Sequence, residues 1–210
     1  MAALTAYLGS TTDTLLTAAK QIVVAAPSSE VNVANTTKKL TGWGELQTVT
    51  GLSAWTAGSS EPAPSGQGSL WDVTTLEGQT IAAGTWTPSI KLASVGTATA
   101  NIHVRAYKYN GGTYTLIGDF ILTGQLISAT ATTYNPVAQS LSSVAFVTGD
   151  KLYIDYVCQI TVAGTSTTGK IAIYENGGAA EQVVTPGYAP TPVSPPNCFT
   201  GQPQGYCGGW

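Results

Sequence analysis

Apolar and polar residues alternate along two long stretches in the middle of the chain. The longest run, Lys151–Val162, places an apolar side chain at every second position from Leu152 onward. Asn101–Tyr109 alternates in the same way. Successive side chains of a strand point to opposite faces, so both stretches predict strands with one buried face. The residues expected in the core are Ile102, Val104, Ile154, Tyr156, Cys158 and Ile160, and those expected on the opposite, outward face are His103, Arg105 and Asp155.

Turn-forming residues flank these strands. Asn110-Gly111-Gly112 supplies residues that accept positive φ, and a strand pattern returns over Thr113–Leu122, which predicts a hairpin. Gly149-Asp150 is predicted to turn the chain into the second long strand. Residues 163–169 are predicted to turn it out, so that Lys170–Glu175 pairs back.

Closely spaced short strands without βα alternation indicate an all-β fold, an antiparallel β-sandwich or jelly roll, over residues 70–176. Residues 1–69 are predicted to be an irregular N-terminal arm with one or two short strands or a short helix. Asp13 could cap a helix from Leu15 to Ala26, whereas Gln21–Val24 favours a strand. Ser59–Gly68 holds two prolines and two glycines and is predicted to be a loop.

Residues 177–210 are predicted to form a Pro/Gly-rich C-terminal tail outside the core. Five prolines between positions 185 and 196 predict an extended segment without a sheet ladder. Cys158 is expected to be a buried thiol within its strand. Cys198 and Cys207 could close a local disulfide in this tail or remain thiols. The tail residues expected to contact a partner are Phe199, Tyr206 and Trp210.

Charged residues are scarce, and this excludes several functions. The chain of 210 residues has 8 Lys and Arg, 11 Asp and Glu, and a formal net charge of −3. Without clustered cations, no nucleic-acid interface and no anionic membrane surface is expected as a partner. No apolar run reaches the roughly 20 residues of a membrane-spanning helix. The first residues lack a basic segment and a continuous hydrophobic segment, so we expect no secretory signal.

The sequence offers few groups for catalysis or metal binding. His103 is the only histidine, and its place on the polar side of a strand favours an exposed or interfacial role. Zinc sites need three or four closely spaced ligands, which one histidine and scattered cysteines do not supply. Asp72 with Glu77, or Asp150 with Asp155, could form a catalytic pair of carboxylates. Their positions in a turn, at a strand start or on the outward face of a strand instead favour structural roles. We therefore predict a non-enzymatic protein without cofactor or metal.

Four tryptophans in the first half of the chain allow two interpretations. Exposed aromatic rings on a β-sandwich stack on sugars in carbohydrate-binding modules. Aromatic residues also concentrate in cores and subunit interfaces, which is the interpretation we favour. The four residues are Trp43, Trp55, Trp71 and Trp86.

The stretch LWDVTTLEGQTIAAGTWTPSIKL, from Leu70 to Leu92, resembles the opening strands of β-sandwich virion structural proteins of tailed bacteriophages. In those proteins an AGTWT turn precedes a strand. A hairpin follows, as at Ile102–Leu122, and then a late strand with a Gly-Asp-Lys-Leu-Tyr element, as at Leu141–Tyr153. The similarity covers residues 70–175 and leaves both ends outside it.

This resemblance implies a capsid decoration protein or a tail-associated protein, made in the host cytoplasm and located on the virion exterior. Its expected partners are the major capsid protein or other virion subunits, reached through the two arms. A homo-oligomer is expected, with a trimer favoured because capsid lattices offer three-fold sites. The alternatives are a tail- or fibre-associated protein that binds host glycans, and a secreted carbohydrate-binding module.

Overall fold

A computed structural model of the chain describes residues 4–12, 20–23, 31–34, 42–46, 58–71, 76–165, 171–175 and 182–190. Over these ranges the structure is almost entirely β, which confirms the predicted fold class. The strands are β1 (Leu4–Thr12), β2 (Lys20–Val23), β3 (Val31–Ala34), β4 (Gly42–Glu45), β5 (Ser69–Trp71), β6 (Gln79–Ile81), β7 (Gly84–Ser94), β8 (Ala98–Asn110), β9 (Thr113–Ile127), β10 (Thr132–Tyr134), β11 (Gln139–Leu141), β12 (Val144–Ala145), β13 (Lys151–Val162), β14 (Ile171–Glu175), β15 (Gln182–Thr185) and β16 (Tyr188–Pro190).

The main sheet runs in the order β3-β14-β7-β15-β1-β2-β5-β13-β8-β9. Strands β10 and β11 also pair with β7, and β4 pairs with β13. The pairings are antiparallel except that between β2 and β5. A small second sheet has the order β12-β6-β16. Among the described residues, no helix has the length and apolar character needed to cross a membrane.

The core lies on one face of β8 and β13. All six residues predicted for the core are buried, so the predicted strand phase is confirmed. Val162 is exposed, because the register shifts between Ile160 and Val162. The core is completed by side chains from β7, β14 and neighbouring elements, so the main sheet folds over on itself as a sandwich. These include Trp71, Ile81, Trp86, Ile90, Leu92, Phe146, Ile171 and Ile173.

Two of the three predicted turns next to the long strands are confirmed, and residues 166–169 of the third lie outside the described residues. Gly111 and Gly112 have φ values of 52° and 94°, and Asn110 pairs with Thr113 across this two-residue loop. These left-handed conformations are those that a tight hairpin turn requires and that glycine adopts without strain. Gly149 has a φ of 89° just before β13.

Two predictions outside the central hairpin are wrong, and one open alternative is decided. Strand β14 does not pair back on β13; it lies between β3 and β7, because a strand pattern fixes a buried face and not a partner. The N-terminal region is not a loose arm where it is described: β1–β4 are all hydrogen-bonded into the main sheet. Of the two alternatives for residues 15–26, a helix or a strand, the described residues Lys20–Val23 form the strand.

The predicted tail also begins too early. Strand β15 lies between β1 and β7, with Val183 and Thr185 buried, and β16 pairs with β6. Strand β16 is at the edge of the small sheet, and proline is found in edge strands because one side of such a strand has no neighbour that needs a backbone N–H. Residues 191–210 lie outside the described residues, and so do the predictions made for Cys198, Phe199, Tyr206, Cys207 and Trp210.

Candidate functional site: a buried ionic cluster

The face of β8 and β13 opposite the core carries charged residues that are buried. His103, Arg105 and Asp155 lie on this face as predicted, but they are only 5%, 5% and 0% exposed. The expectation that they face solvent is therefore wrong. Strand β4 and the loop 58–68 cover them, and a strand pattern does not indicate such a cover.

Gly68 allows the loop 58–68 to lie this close to the sheet. A Cβ atom at Gly68 would stand 2.0 Å from the backbone oxygen of Ile154. The Gly68 N–H donates to the Tyr153 hydroxyl at 2.7 Å, which fastens the end of the loop to β13. The predicted loop is confirmed, and its second glycine has a specific packing role.

Arg105 is the centre of the ionic cluster, which we define as Glu45, Glu61, His103, Arg105, Asp119 and Asp155. In the strand register Arg105 stands opposite Asp155 on one side and Asp119 on the other. Its guanidinium donates to the Asp155 carboxylate, to Glu61 Oε1 at 2.7 Å and to the Pro62 carbonyl at 2.9 Å. One cation thus joins β13 to the covering loop, using the forked donor geometry of arginine.

Glu45, on β4, is the group in the cluster with the most strongly altered acidity. Burial, followed by the hydrogen bond to Asp155 and repulsion from that residue, raises the pKa of Glu45 to about 9. Glu45 is therefore protonated at neutral pH. Its carboxyl accepts hydrogen bonds from the backbone N–H and the hydroxyl of Ser65. The protonated Glu45 carboxyl can donate a hydrogen bond to Asp155 Oδ1. The described residues supply no other hydrogen-bond donor to that oxygen.

His103 completes the cluster at its more open end. Its Nδ1 lies 3.1 Å from both carboxylate oxygens of Asp119 and 3.9 Å from Glu61 Oε1. The Trp43 ring packs against the imidazole, edge to face, at 5.2 Å between centroids. One ligand atom from each of Glu61, His103 and Asp119 can be chosen so that all lie within 4.8 Å of one another, a grouping that could hold a metal ion.

Sequence reasoning missed this triad because it looked for ligands close together in sequence. The hairpin register gave a usable signal for one pair: it sets Asp119 opposite Arg105, hence diagonal to His103. Nothing in the sequence pattern places Glu61 beside them.

A tyrosine cluster adjoins the ionic cluster on the same face. It consists of Tyr107, Tyr109, Tyr114 and Tyr153 around Leu70, with ring centroids 4.9 to 6.4 Å apart. Burial is the main cause that raises the pKa of Tyr107 and of Tyr114 to about 12, so these phenols stay neutral. The cluster acts as a second, aromatic core.

The aromatic prediction is resolved for two tryptophans. Trp71 and Trp86 are fully buried in the apolar core, so core packing is confirmed for them. Trp43 is half-buried against His103. Trp55 lies outside the described residues.

Of the two candidate carboxylate pairs, Asp150 and Asp155 each have other partners, and the pair of Asp72 with Glu77 is described only at Glu77. Asp150 caps its own turn, accepting from the Val147 N–H at 3.0 Å and from Asn110 Nδ2 at 2.8 Å. Burial raises the pKa of Asp150, but these hydrogen bonds and Lys108 outweigh burial, and the pKa falls below its usual value. Glu77 bonds Lys151 at 2.6 Å, which lowers its pKa. Asp72 lies outside the described residues.

No protein-family model matches the chain, and no curated protein matches it in sequence. What the molecule does is therefore inferred from its own residues.

Proposed function

We propose that the chain is a non-enzymatic structural protein of a tailed-phage virion, most simply a capsid decoration protein on the exterior of the head. The observation that carries this proposal is a row of exposed aliphatic side chains along the outermost strand of the main sheet. Strand β9 exposes Leu116, Ile121 and Leu126, which are 55%, 37% and 63% exposed. Val137, 63% exposed, adjoins them, because its N–H donates to the Ile121 carbonyl at 3.2 Å.

This row has the chemistry of an attachment surface. Exposed aliphatic groups gathered on one strand are typical of sites that another protein covers. Charged side chains, which are costly to desolvate in an interface, are few in this chain, and several are already paired inside the ionic cluster. We name the row of Leu116, Ile121, Leu126 and Val137 the β9 surface.

Two bulges in β9 limit unspecific pairing of this edge. The register with β8 shifts between Ala100 and Ile102 and again between Ala106 and Tyr107. Bulges twist an edge strand away from further strand addition. The β9 surface is therefore better suited to side-chain contact with a defined partner than to open-ended sheet extension.

The ionic cluster supports a non-enzymatic role. Catalytic sites combine groups of altered acidity with a cleft that a substrate can reach. Glu45, whose pKa is the most altered in the cluster, is 7% exposed beneath the loop 58–68, and Arg105 and Asp155 are buried beside it. In this arrangement Glu45 and Asp155 lie beneath the loop 58–68, and Glu45 holds the loop on the sheet through Ser65.

The proposal is tested with phage heads that lack decoration. Full-length protein carrying Leu116→Asp and Leu126→Asp should lose at least tenfold in affinity for heads in co-sedimentation. Val95→Asp is the matched control, since Val95 is also exposed at 57% and lies on the β7–β8 turn. All three positions are exposed, so the melting temperatures should stay close to that of the wild type.

Two outcomes would contradict the proposal. One is a double variant that binds heads as tightly as the wild type. The other is a wild-type protein that binds isolated tails or host glycans and not heads. Sedimentation at high concentration tests the expected trimer in the same preparations.

A glycan-binding tail or fibre protein is the second candidate, and one surface feature favours it. A groove of about 610 Å³ runs between β9 and the segment 140–145. Hydroxyl groups of Thr115, Ser140, Ser142 and Ser143 line it beside Leu116 and could bond to sugar hydroxyls. Calorimetry with host cell-surface oligosaccharides distinguishes this candidate from the first.

A further inference from the structure

The grouping of Glu61, His103 and Asp119 places two carboxylates beside one imidazole nitrogen. Both Asp119 oxygens lie 3.1 Å from His103 Nδ1. Glu61 Oε1 lies on the same side at 3.9 Å. Three groups that commonly bind metal ions thus converge on one point.

The spacing of these atoms fits a coordinated ion. Ligand atoms about 2.0–2.1 Å from a tetrahedral zinc ion stand roughly 3.3 Å from one another. The distances of 3.1 and 3.9 Å from His103 Nδ1 bracket that value, and a ligand atom from each residue lies within 4.8 Å of the others. Small side-chain adjustments would therefore suffice.

The charge of the cluster favours a cation at this point. With Glu45 protonated, the carboxylates of Glu61, Asp119 and Asp155 face a single guanidinium, Arg105. Three carboxylates around one guanidinium leave an excess of negative charge. A divalent ion balances that charge in a partly buried place where an uncompensated charge is costly.

We propose that Glu61, His103 and Asp119 bind one divalent transition-metal ion of the zinc class. An imidazole nitrogen with two carboxylate oxygens suits such an ion better than Ca²⁺ or Mg²⁺, which prefer oxygen ligands throughout. The ion fastens the loop 58–68, through Glu61, to the hairpin formed by β8 and β9.

The surroundings of the triad support this site. The side chains of Glu61 and Asp119 are 34% and 25% exposed, so an ion can reach them from solvent and keep water in its remaining positions. Arg105 holds Glu61 Oε1 at 2.7 Å and orients the carboxylate, the role that outer hydrogen-bond partners have around metal ligands. The Trp43 ring packs against the imidazole and restricts its orientation.

The test is calorimetric titration of the metal-free, untagged full-length protein with Zn²⁺. Cys198 and Cys207 are changed to Ser throughout, so that thiols do not bind the ion. We expect one Zn²⁺ per chain, a rise in melting temperature with Zn²⁺, and at least tenfold weaker binding of Ca²⁺. Co²⁺ should bind at the same site and give a visible absorption band.

Single substitutions test which residues bind the ion. Asp119→Asn and His103→Gln should each weaken Zn²⁺ binding at least tenfold. Glu77→Gln is the matched control: Glu77 is 36% exposed, close to the 34% of Glu61, and has a similar ion pair, with Lys151, but lies outside the triad. It should bind Zn²⁺ as the unmodified protein does.

The proposal is overturned if Zn²⁺ does not bind at one equivalent below millimolar concentration. It is also overturned if Asp119→Asn binds Zn²⁺ with unchanged affinity. If His103→Gln does not fold, Asp119→Asn decides alone, because its side chain is partly exposed and its amide can still hydrogen-bond to His103.

Discussion

At the centre of the β8–β13 pair both faces are buried, but one face is apolar and the other holds the ionic cluster. Ile154 and Asp155 are neighbours in sequence, and they are 1% and 0% exposed. Ile154 packs among apolar side chains, whereas Asp155 pairs with Arg105 beneath the loop 58–68. The alternation of apolar and polar residues along a strand therefore predicts that its two faces differ in chemistry. It does not predict which face is exposed to solvent.

The two faces stabilise the fold by different means. The apolar face contributes in proportion to the area it removes from water, about 25 cal/mol per Å². On the ionic face, close pairing of opposite charges offsets the free-energy cost of removing them from water, so an intact pair contributes little net stability. Removing one partner is strongly destabilising, because the other charge is left buried without a partner. The following changes test this difference, from the largest expected effect to the smallest.

Ile154→Asp should unfold the protein. The change places an unpaired carboxylate in the apolar core, at a cost of several kcal/mol, comparable with the whole stability of a small domain. Circular dichroism during thermal and urea unfolding measures it. Ile154→Val, expected to cost about 1 kcal/mol, is the control. A near-normal melting temperature for Ile154→Asp would show that the assignment of the two faces is reversed.

Arg105→Met should destabilise by about 3–5 kcal/mol, because it leaves Asp155 charged and buried without a partner. The double variant Arg105→Met, Asp155→Leu should regain a large part of that loss, since it removes both charges. Urea unfolding of the wild type, both single variants and the double variant gives the coupling energy. Additive losses would show that the two charges do not stabilise each other.

Gly68→Ala should loosen the cover of the ionic face and leave the apolar face intact. Its Cβ would overlap the Ile154 carbonyl, so the loop 58–68 must shift, at a cost of about 1–3 kcal/mol. Hydrogen exchange should quicken at the Ser65 and Gly68 amides and stay unchanged in the centre of β8. Gly78→Ala is the control for a substitution with nothing within 4 Å of the new Cβ, although its φ of 72° adds its own strain. Uniform quickening across the sheet would contradict a separate cover.

Glu45→Gln should have the smallest effect at and below about pH 4.5, where the Glu45 carboxyl is uncharged in the folded and the unfolded protein alike. At neutral pH the variant should be more stable than the wild type, because only the wild type must take up a proton at Glu45 when it folds. In the wild type, the folded state keeps the Glu45 proton up to about pH 9 while the unfolded state loses it near the usual value of 4.5. The contribution of Glu45 to the free energy of unfolding is therefore largest below pH 4.5. It decreases as pH rises towards 9, by up to about 1.4 kcal/mol per pH unit.

Urea unfolding between pH 5 and pH 9 measures this slope, which should flatten in Glu45→Gln. Asp150 works in the opposite direction: its lowered pKa adds stability that is lost on acidification below its usual value of 3.8. Equal slopes for the wild type and Glu45→Gln would show that Glu45 is ionised in the folded protein.

The sequence predicted local features and missed those that depend on distant segments. The hairpin, the phase of β8 and β13 and the buried Cys158 follow from alternation and glycine position, which neighbouring residues determine. The pairing of β14 with β3 and β7 depends on where segments far apart in the chain meet. The same holds for the site: hairpin register relates His103 to Asp119, but Glu61 and Glu45 arrive on separate segments.

The position of β15 links the two ends of the described chain and constrains how the protein forms. Leu4 pairs with Thr185 and Tyr7 with Gln182, and β15 also pairs with β7 on its other side. During synthesis β1 leaves the ribosome before β15, and its ladder to β15 cannot close until almost the whole described chain has been made. Pairings of such long sequence separation carry a large loop-closure cost and fold slowly. The main sheet is therefore completed only after translation has passed residue 185, and until then the edges of β1 and β7 are open to other nascent chains.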